Sequence, residues 1–216
     1  MGSYFLNQLD CAREYLKRKI PLIRLAPNAK FPDETDPYGR ATLDESVINQ
    51  WVARGHNLGV PGGVEYEPNQ FLVIIDIDVK DGRNGFSTLQ ELEILGFDLP
   101  PTLSQVTPSL GKHLIFWAPG LAKNGANVLG PGIDIRGFHG HIVAAGGSIN
   151  GKAYEFKDRS RIERIPEWVW ARVKRSEPGE ADGPLVQERR LSVVHDLDEE
   201  RAATRAREFL NAQDPT

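Results

Sequence analysis

The chain has 216 residues, 40% hydrophobic and 26% charged, a balance that suits a globular domain with its own core and excludes a disordered or fibrous chain. Its one cysteine, Cys11, excludes an internal disulfide and a cysteine-built zinc module within the chain, and reads as a half-buried small residue on a first helix. The net charge of -4 is uneven: residues 176–216 hold 10 acidic and 5 basic side chains, whereas residues 1–175 hold 21 basic against 20 acidic.

The opening residues carry no basic segment followed by an apolar run, so no secretory signal is read and the expected location is the cytoplasm. Leu6, Leu9, Ala12 and Leu16 recur near helical spacing and predict an opening helix over 6–19. A short strand is expected at 21–25, then a loop over 27–40, rich in proline, aspartate and glycine. Thr42 followed by Glu45 resembles a capping box and predicts a helix to about Arg54, closed by Gly55. Residues 57–63 read as a strand breaking into a glycine loop.

Phe71-Leu72-Val73-Ile74-Ile75-Asp76-Ile77-Asp78-Val79 is the strongest strand in the chain. Its continuous apolar character implies cover on both faces, and its apolar run is far too short to span a bilayer. A helix over 87–95, closed by Gly96, follows. Further strands are expected at 102–107, 113–118, 132–136, 141–145 and 153–156, and a short helix at 166–173. Residues 151–175 carry 8 basic and 4 acidic side chains, which fits a phosphate-binding face or an ordinary solvated helix face. Composition makes 176–184 a linker, and Ala202, Ala206 and Phe209 give 197–212 helical spacing.

Three segments can carry chemistry. Asp76 and Asp78 stand two apart on a strand, so both carboxylates point to one face, where hard cations prefer oxygen ligands. A solvent-exposed strand end explains the pair equally well. In Gly132-Ile133-Asp134-Ile135-Arg136, the isoleucines face one way and Asp134 and Arg136 the other; a surface ion pair is the bland alternative. In Thr107-Pro108-Ser109-Leu110-Gly111-Lys112-His113, Gly111 permits close backbone approach to a ligand, while Lys112 and His113 supply donors at a strand start. Taken singly, His113, like His56, His139, His141 and His195, reads as structural.

Taken together and in order, these segments resemble the catalytic core of archaeo-eukaryotic-type primases, specifically the bifunctional primase-polymerase domain of phage and plasmid replication proteins. Supporting segments are Pro27-Asn28-Ala29-Lys30-Phe31-Pro32, Asn57-Leu58-Gly59-Val60-Pro61-Gly62, the 99–109 stretch, Gly140-His141-Ile142-Val143, Gly151-Lys152-Ala153-Tyr154 and Ile165-Pro166-Glu167-Trp168. The resemblance spans roughly residues 6–173. Two departures bear on nucleotide contact: Gly111 stands where relatives often have a serine two before the histidine, and Ala145-Gly146-Gly147-Ser148 replaces Pro-Pro-Ser.

The resemblance implies an α/β (α+β) fold, a recognition-motif-like antiparallel catalytic sheet with a smaller N-terminal α/β subdomain closing the cleft. It implies DNA primase or DNA polymerase activity, with Asp76, Asp78 and Asp134 as catalytic residues holding two Mg²⁺ or Mn²⁺ ions and no zinc. His113 would donate to the incoming triphosphate, with Ser109, Lys112, Arg136, Lys30 and Asn57 as further nucleotide contacts. Partners would be a single-stranded DNA template, dNTPs or NTPs, and a fused or associated replicative helicase; no membrane is involved. The expected layout is a catalytic domain at 1–175, a linker at 176–190 and the start of a helical module at 191–216. A haloacid-dehalogenase-like phosphatase also opens on Asp-x-Asp, but Lys80 stands where it needs a threonine or valine, and more than seventy residues precede the motif. A metal-dependent nuclease and a non-catalytic DNA-binding replication-initiation module are the other readings.

Overall fold

The computed structural model describes residues 7–80 and 82–175. The linker and helical module expected at 176–190 and 191–216 lie outside the described residues, as does Leu6. In chain order the elements are α1 (Gln8–Leu16), β1 (Ile23–Leu25), α2 (Glu45–Ala53), β2 (Asn57–Pro61), β3 (Glu65–Glu67) and β4 (Gln70–Ile77). Next come β5 (Val79–Lys80), β6 (Arg83–Asn84), α3 (Gly85–Ile94), β7 (Ser104–Val106), β8 (Lys112–Ala118) and β9 (Ile133–Arg136). The last are β10 (His141–Val143), β11 (Ser148–Ile149), β12 (Lys152–Ala153), β13 (Glu155–Asp158), β14 (Glu163–Arg164) and α4 (Glu167–Val173). The fold is mixed α/β, with four helices among the described residues and sheets that are almost wholly antiparallel. No described helix is long and apolar enough to cross a membrane.

The main sheet runs β13-β7-β8-β4-β3, with β9 on β4 and β14 on β8. β14 is its one parallel strand. β4 lies at the centre: β8 pairs along its full length on one edge, while β3 and β9 share the other edge at opposite ends. Side-chain alternation along β4 divides the core in two. Leu72 and Ile74 join Ile115 and Leu103 beneath α1, α2 and the β1-β2-β10 sheet, contributed by Tyr15, Ile48, Trp51, Leu58 and Ile142. Val73, Ile75 and Ile77 face the other way, joining Phe116, Ile133 and Ile135 beneath α3 and α4. Because both faces are covered, residues 72–77 are all buried, which is why the strand reads as an unbroken apolar run.

The start of α2 corrects the expected cap. Thr42 exchanges two backbone hydrogen bonds of 2.9 Å with Leu22, and this pairing holds it in extended backbone. The helix therefore begins two residues later, at Asp44, whose carboxylate accepts from the Ser46 and Val47 N–H groups. Glu45 instead forms an ion pair with Arg13 of α1 at 2.7 Å. Asp44→Ala is expected to cost about 1 kcal/mol in urea unfolding, and Thr42→Ala less.

Candidate active site

Strand register assembles the site. Asp76 is the lateral partner of His113 on β8 and of Asp134 on β9, and His113 is the partner of Gln105 on β7. Directly opposed residues share a face, so one polar row, Gln105-His113-Asp76-Asp134, crosses four strands of an otherwise apolar sheet. Asp78 lies just past the end of β4 on the same face, its N–H fixed to the Gly132 carbonyl at 2.8 Å. Carboxylate oxygens of Asp76, Asp78 and Asp134 all lie within 4.8 Å of one another.

Burying Asp76 in this strand is unfavourable unless other groups compensate. One of its oxygens accepts from Arg136 Nε at 3.2 Å and Nη2 at 2.9 Å; the other faces His113 Nε2 at 3.2 Å. The same Arg136 Nη2 lies 2.9 Å from Asp134, whose other oxygen accepts the Asn127 N–H at 2.9 Å. Lys80 Nζ sits 2.9 Å from Asp78. Arg136 and Lys80 balance two of the three carboxylates, leaving negative charge for a bound cation. Hard oxygen donors this close together fit a hard divalent cation.

Burial is the largest influence on Asp76 and pushes its pKa up, but contacts with His113 and Arg136 outweigh it and hold the carboxyl at about 2, below its ordinary 3.8. A depressed folded-state pKa stabilises the fold above the unfolded pKa, and that contribution is lost as pH falls through the folded one. On the order of 2 kcal/mol is therefore expected to disappear between about pH 4 and about pH 2. Asp76→Asn should flatten that part of the stability curve in acid denaturation followed by circular dichroism.

The acid row opens into a cleft of about 490 Å³. Asp76, Asp78, Arg136 and His113 line it together with Lys30, Asn150, Lys152, Tyr154, Thr107 and Ser109. Tyr154 stacks on His113 with ring centroids 6.0 Å apart, and burial, then the charges of Asp76 and Asp78, push its phenol up to about 12. It stays protonated at neutral pH and so can donate.

The family model for the bifunctional DNA primase/polymerase N-terminal domain matches residues 12–168, well over half of the chain. The chain belongs to this family. A comparison with curated proteins finds no match.

Within the primase/polymerase domain, the sequence-predicted residues divide into two sets. Asp76, Asp78, His113, Arg136, Ser109 and Lys30 line the cleft, and Asp134 stands within 4.8 Å of the other two acids. Lys112 does not. It precedes His113 on one strand, so alternation turns it to the opposite face, toward Asp158. Asn57 is also corrected. Its Nδ2 donates to the Ala29 and Ser148 carbonyls at 3.2 and 2.8 Å, and its Oδ1 accepts the Ser148 N–H at 3.1 Å. Thus Asn57 is a buried clasp between the Lys30 loop and β11, engaged before any nucleotide arrives. Gly111 makes its close approach to β4 rather than to a ligand: an added Cβ would stand 2.3 Å from the Ile77 carbonyl.

Other cleft residues carry no predicted binding role, and His141 reads from the sequence as structural. His141 Nε2 donates to the Lys30 carbonyl at 2.8 Å, so its Nδ1 accepts the Tyr38 hydroxyl at 2.9 Å. This pair pins the 27–40 loop over the site. Lys152, Asn150 and Tyr154 come from the strand pair β11-β12 and the segment after it, which the sequence offered only as part of the Gly151-Lys152-Ala153-Tyr154 resemblance.

Proposed function

We propose that this domain performs template-directed nucleotidyl transfer as a DNA primase, a DNA polymerase or both, in phage- or plasmid-type replication. The observation that carries the reading is the convergence of three carboxylates, from β4, its exit and β9, within 4.8 Å of one another, two of them lining a polar cleft. We read the seven-stranded sheet as the recognition-motif-like catalytic sheet, and β1, β2 and β10 with α1 and α2 as the smaller N-terminal part.

Asp76, Asp78 and Asp134 would hold two Mg²⁺ or Mn²⁺ ions. Bound there, the ions would make a 3′-hydroxyl a better nucleophile and neutralise the triphosphate and its leaving group. The chain's own groups supply the rest. Arg136 and Lys80 limit the repulsion among the acids. Lys30 and Lys152 offer charge-assisted contacts to phosphate oxygens, and Ser109 and Asn150 neutral ones. His113 presents a donor beside Asp76. A single-stranded template would be held mainly through its backbone, by the basic 151–175 segment, with salt-sensitive and largely sequence-independent affinity. A replicative helicase, fused or associated, is the expected working partner, in the cytoplasm of the cell that replicates the DNA.

The test offers the protein a primed single-stranded template, labelled dNTPs and Mn²⁺. Primer extension is the expected outcome. Release of phosphate or DNA fragments without extension would instead identify a phosphohydrolase or nuclease, and DNA binding alone a non-catalytic replication-initiation module.

A further inference from the structure

The buried end of the polar row has one hydrogen-bonding solution, and it reaches the site through His113. The Gln105 side chain is fully buried and makes four contacts. Its Oε1 accepts the Tyr15 hydroxyl at 2.5 Å and the Ala145 N–H at 3.0 Å. Its Nε2 donates to the Val143 carbonyl at 2.6 Å and meets His113 Nδ1 at 2.9 Å. A backbone N–H only donates and a carbonyl only accepts, so the amide cannot be flipped without opposing donor to donor and acceptor to acceptor. The second hydrogen of Nε2 therefore points at His113 Nδ1, which must be bare. The ring proton then sits on Nε2, on the side of Asp76.

Tyr15 fixes Gln105 in turn. It is fully buried on α1, and besides donating to Gln105 its hydroxyl accepts the Ala145 N–H at 3.1 Å. A proton on His113 Nδ1 would leave two buried donors facing each other, each without an acceptor in that direction.

We propose that Gln105, braced by Tyr15, is a positioning residue that locks His113 in the Nε2–H tautomer, so that the ring turns its one proton, and never a bare acceptor, toward Asp76 and the cleft. The tautomer assignment stands on the hydrogen bonds alone; its use toward nucleotide rests on the function proposed above.

The test records long-range ¹H–¹⁵N correlation spectra of the ¹⁵N-labelled 216-residue chain at neutral pH, with and without Mg²⁺, His113 being assigned by the loss of its signals in His113→Gln. Unprotonated Nδ1 and protonated Nε2 are expected; a protonated Nδ1 in the unaltered protein overturns the proposal. In primer extension, Gln105→Leu is expected to lower kcat/KM for dNTP on the order of 10-fold through misplacement of the ring, with almost no further loss in a His113→Gln background. An undiminished loss in that background means that Gln105 does not act through His113. If the unaltered chain extends no primer, the functional reading fails while the spectrum still decides the tautomer.

Discussion

Asp76→Asn combined with Asp78→Asn is expected to lower nucleotide addition by at least roughly 10³-fold while leaving the fold in place, the loss of about 4 kcal/mol of electrostatic stabilisation by bound divalent ions. The physical reason is the clustering itself. Three acids within 4.8 Å, only partly balanced by Arg136 and Lys80, repel one another in the metal-free protein and gain most when a divalent ion arrives. Removing two charges removes that gain without emptying the core, because Asn keeps the volume and Arg136 keeps Asp134. Two measurements check it. Primer extension with Mn²⁺ should vanish, and the rise in melting temperature on adding Mn²⁺ to the unaltered protein should shrink in the variant. A double variant that extends a primer at the original rate would remove these residues from the chemistry.

His113→Ala should lower extension on the order of 10²-fold, the cost of deleting one aimed donor, and should change template binding little. His113 lies in the sheet beside Asp76, whereas the template contacts proposed above run along the basic 151–175 segment beyond the cleft residues Lys152 and Tyr154, so His113 itself is not among the template contacts. The variant also removes the acceptor for one Gln105 Nε2 hydrogen and one of the partners of Asp76, which keeps Arg136, so a stability loss of about 1–3 kcal/mol accompanies it. Extension kinetics at varied dNTP, with DNA affinity measured by fluorescence anisotropy on the folded variant, separate these effects. Equal losses in dNTP use and in DNA binding would count against a nucleotide-facing role.

Sequence alone determined much of this protein. Periodicity and turn residues located most of the strands and the four helices, to within a few residues. The apolar 71–77 run announced a strand covered on both faces, and the spacing of Asp76 and Asp78 put two carboxylates on one side of it. Lys112 was readable too: adjacent residues on a strand cannot both face one cleft, so choosing His113 already excluded it. Four strands were missed. β3, β6, β11 and β14 are two- or three-residue segments made by pairing rather than by pattern.

Only the tertiary structure decided the rest, because hydrogen-bonding register and loop docking depend on residues far apart in the chain. The pairing of β4 with β9 sets Asp134 beside Asp76, 58 positions away, and that of β7 with β8 sets Gln105 against His113. A distant bridge to Leu22 moved the α2 cap from Thr42 to Asp44. Asn57, whose residue type suits a nucleotide contact, proved to be engaged with Ala29 and Ser148. Residue type and spacing fix which groups are available and which way each faces along its own strand; which groups meet is fixed by the alignment of one strand on the next, a property no single segment contains.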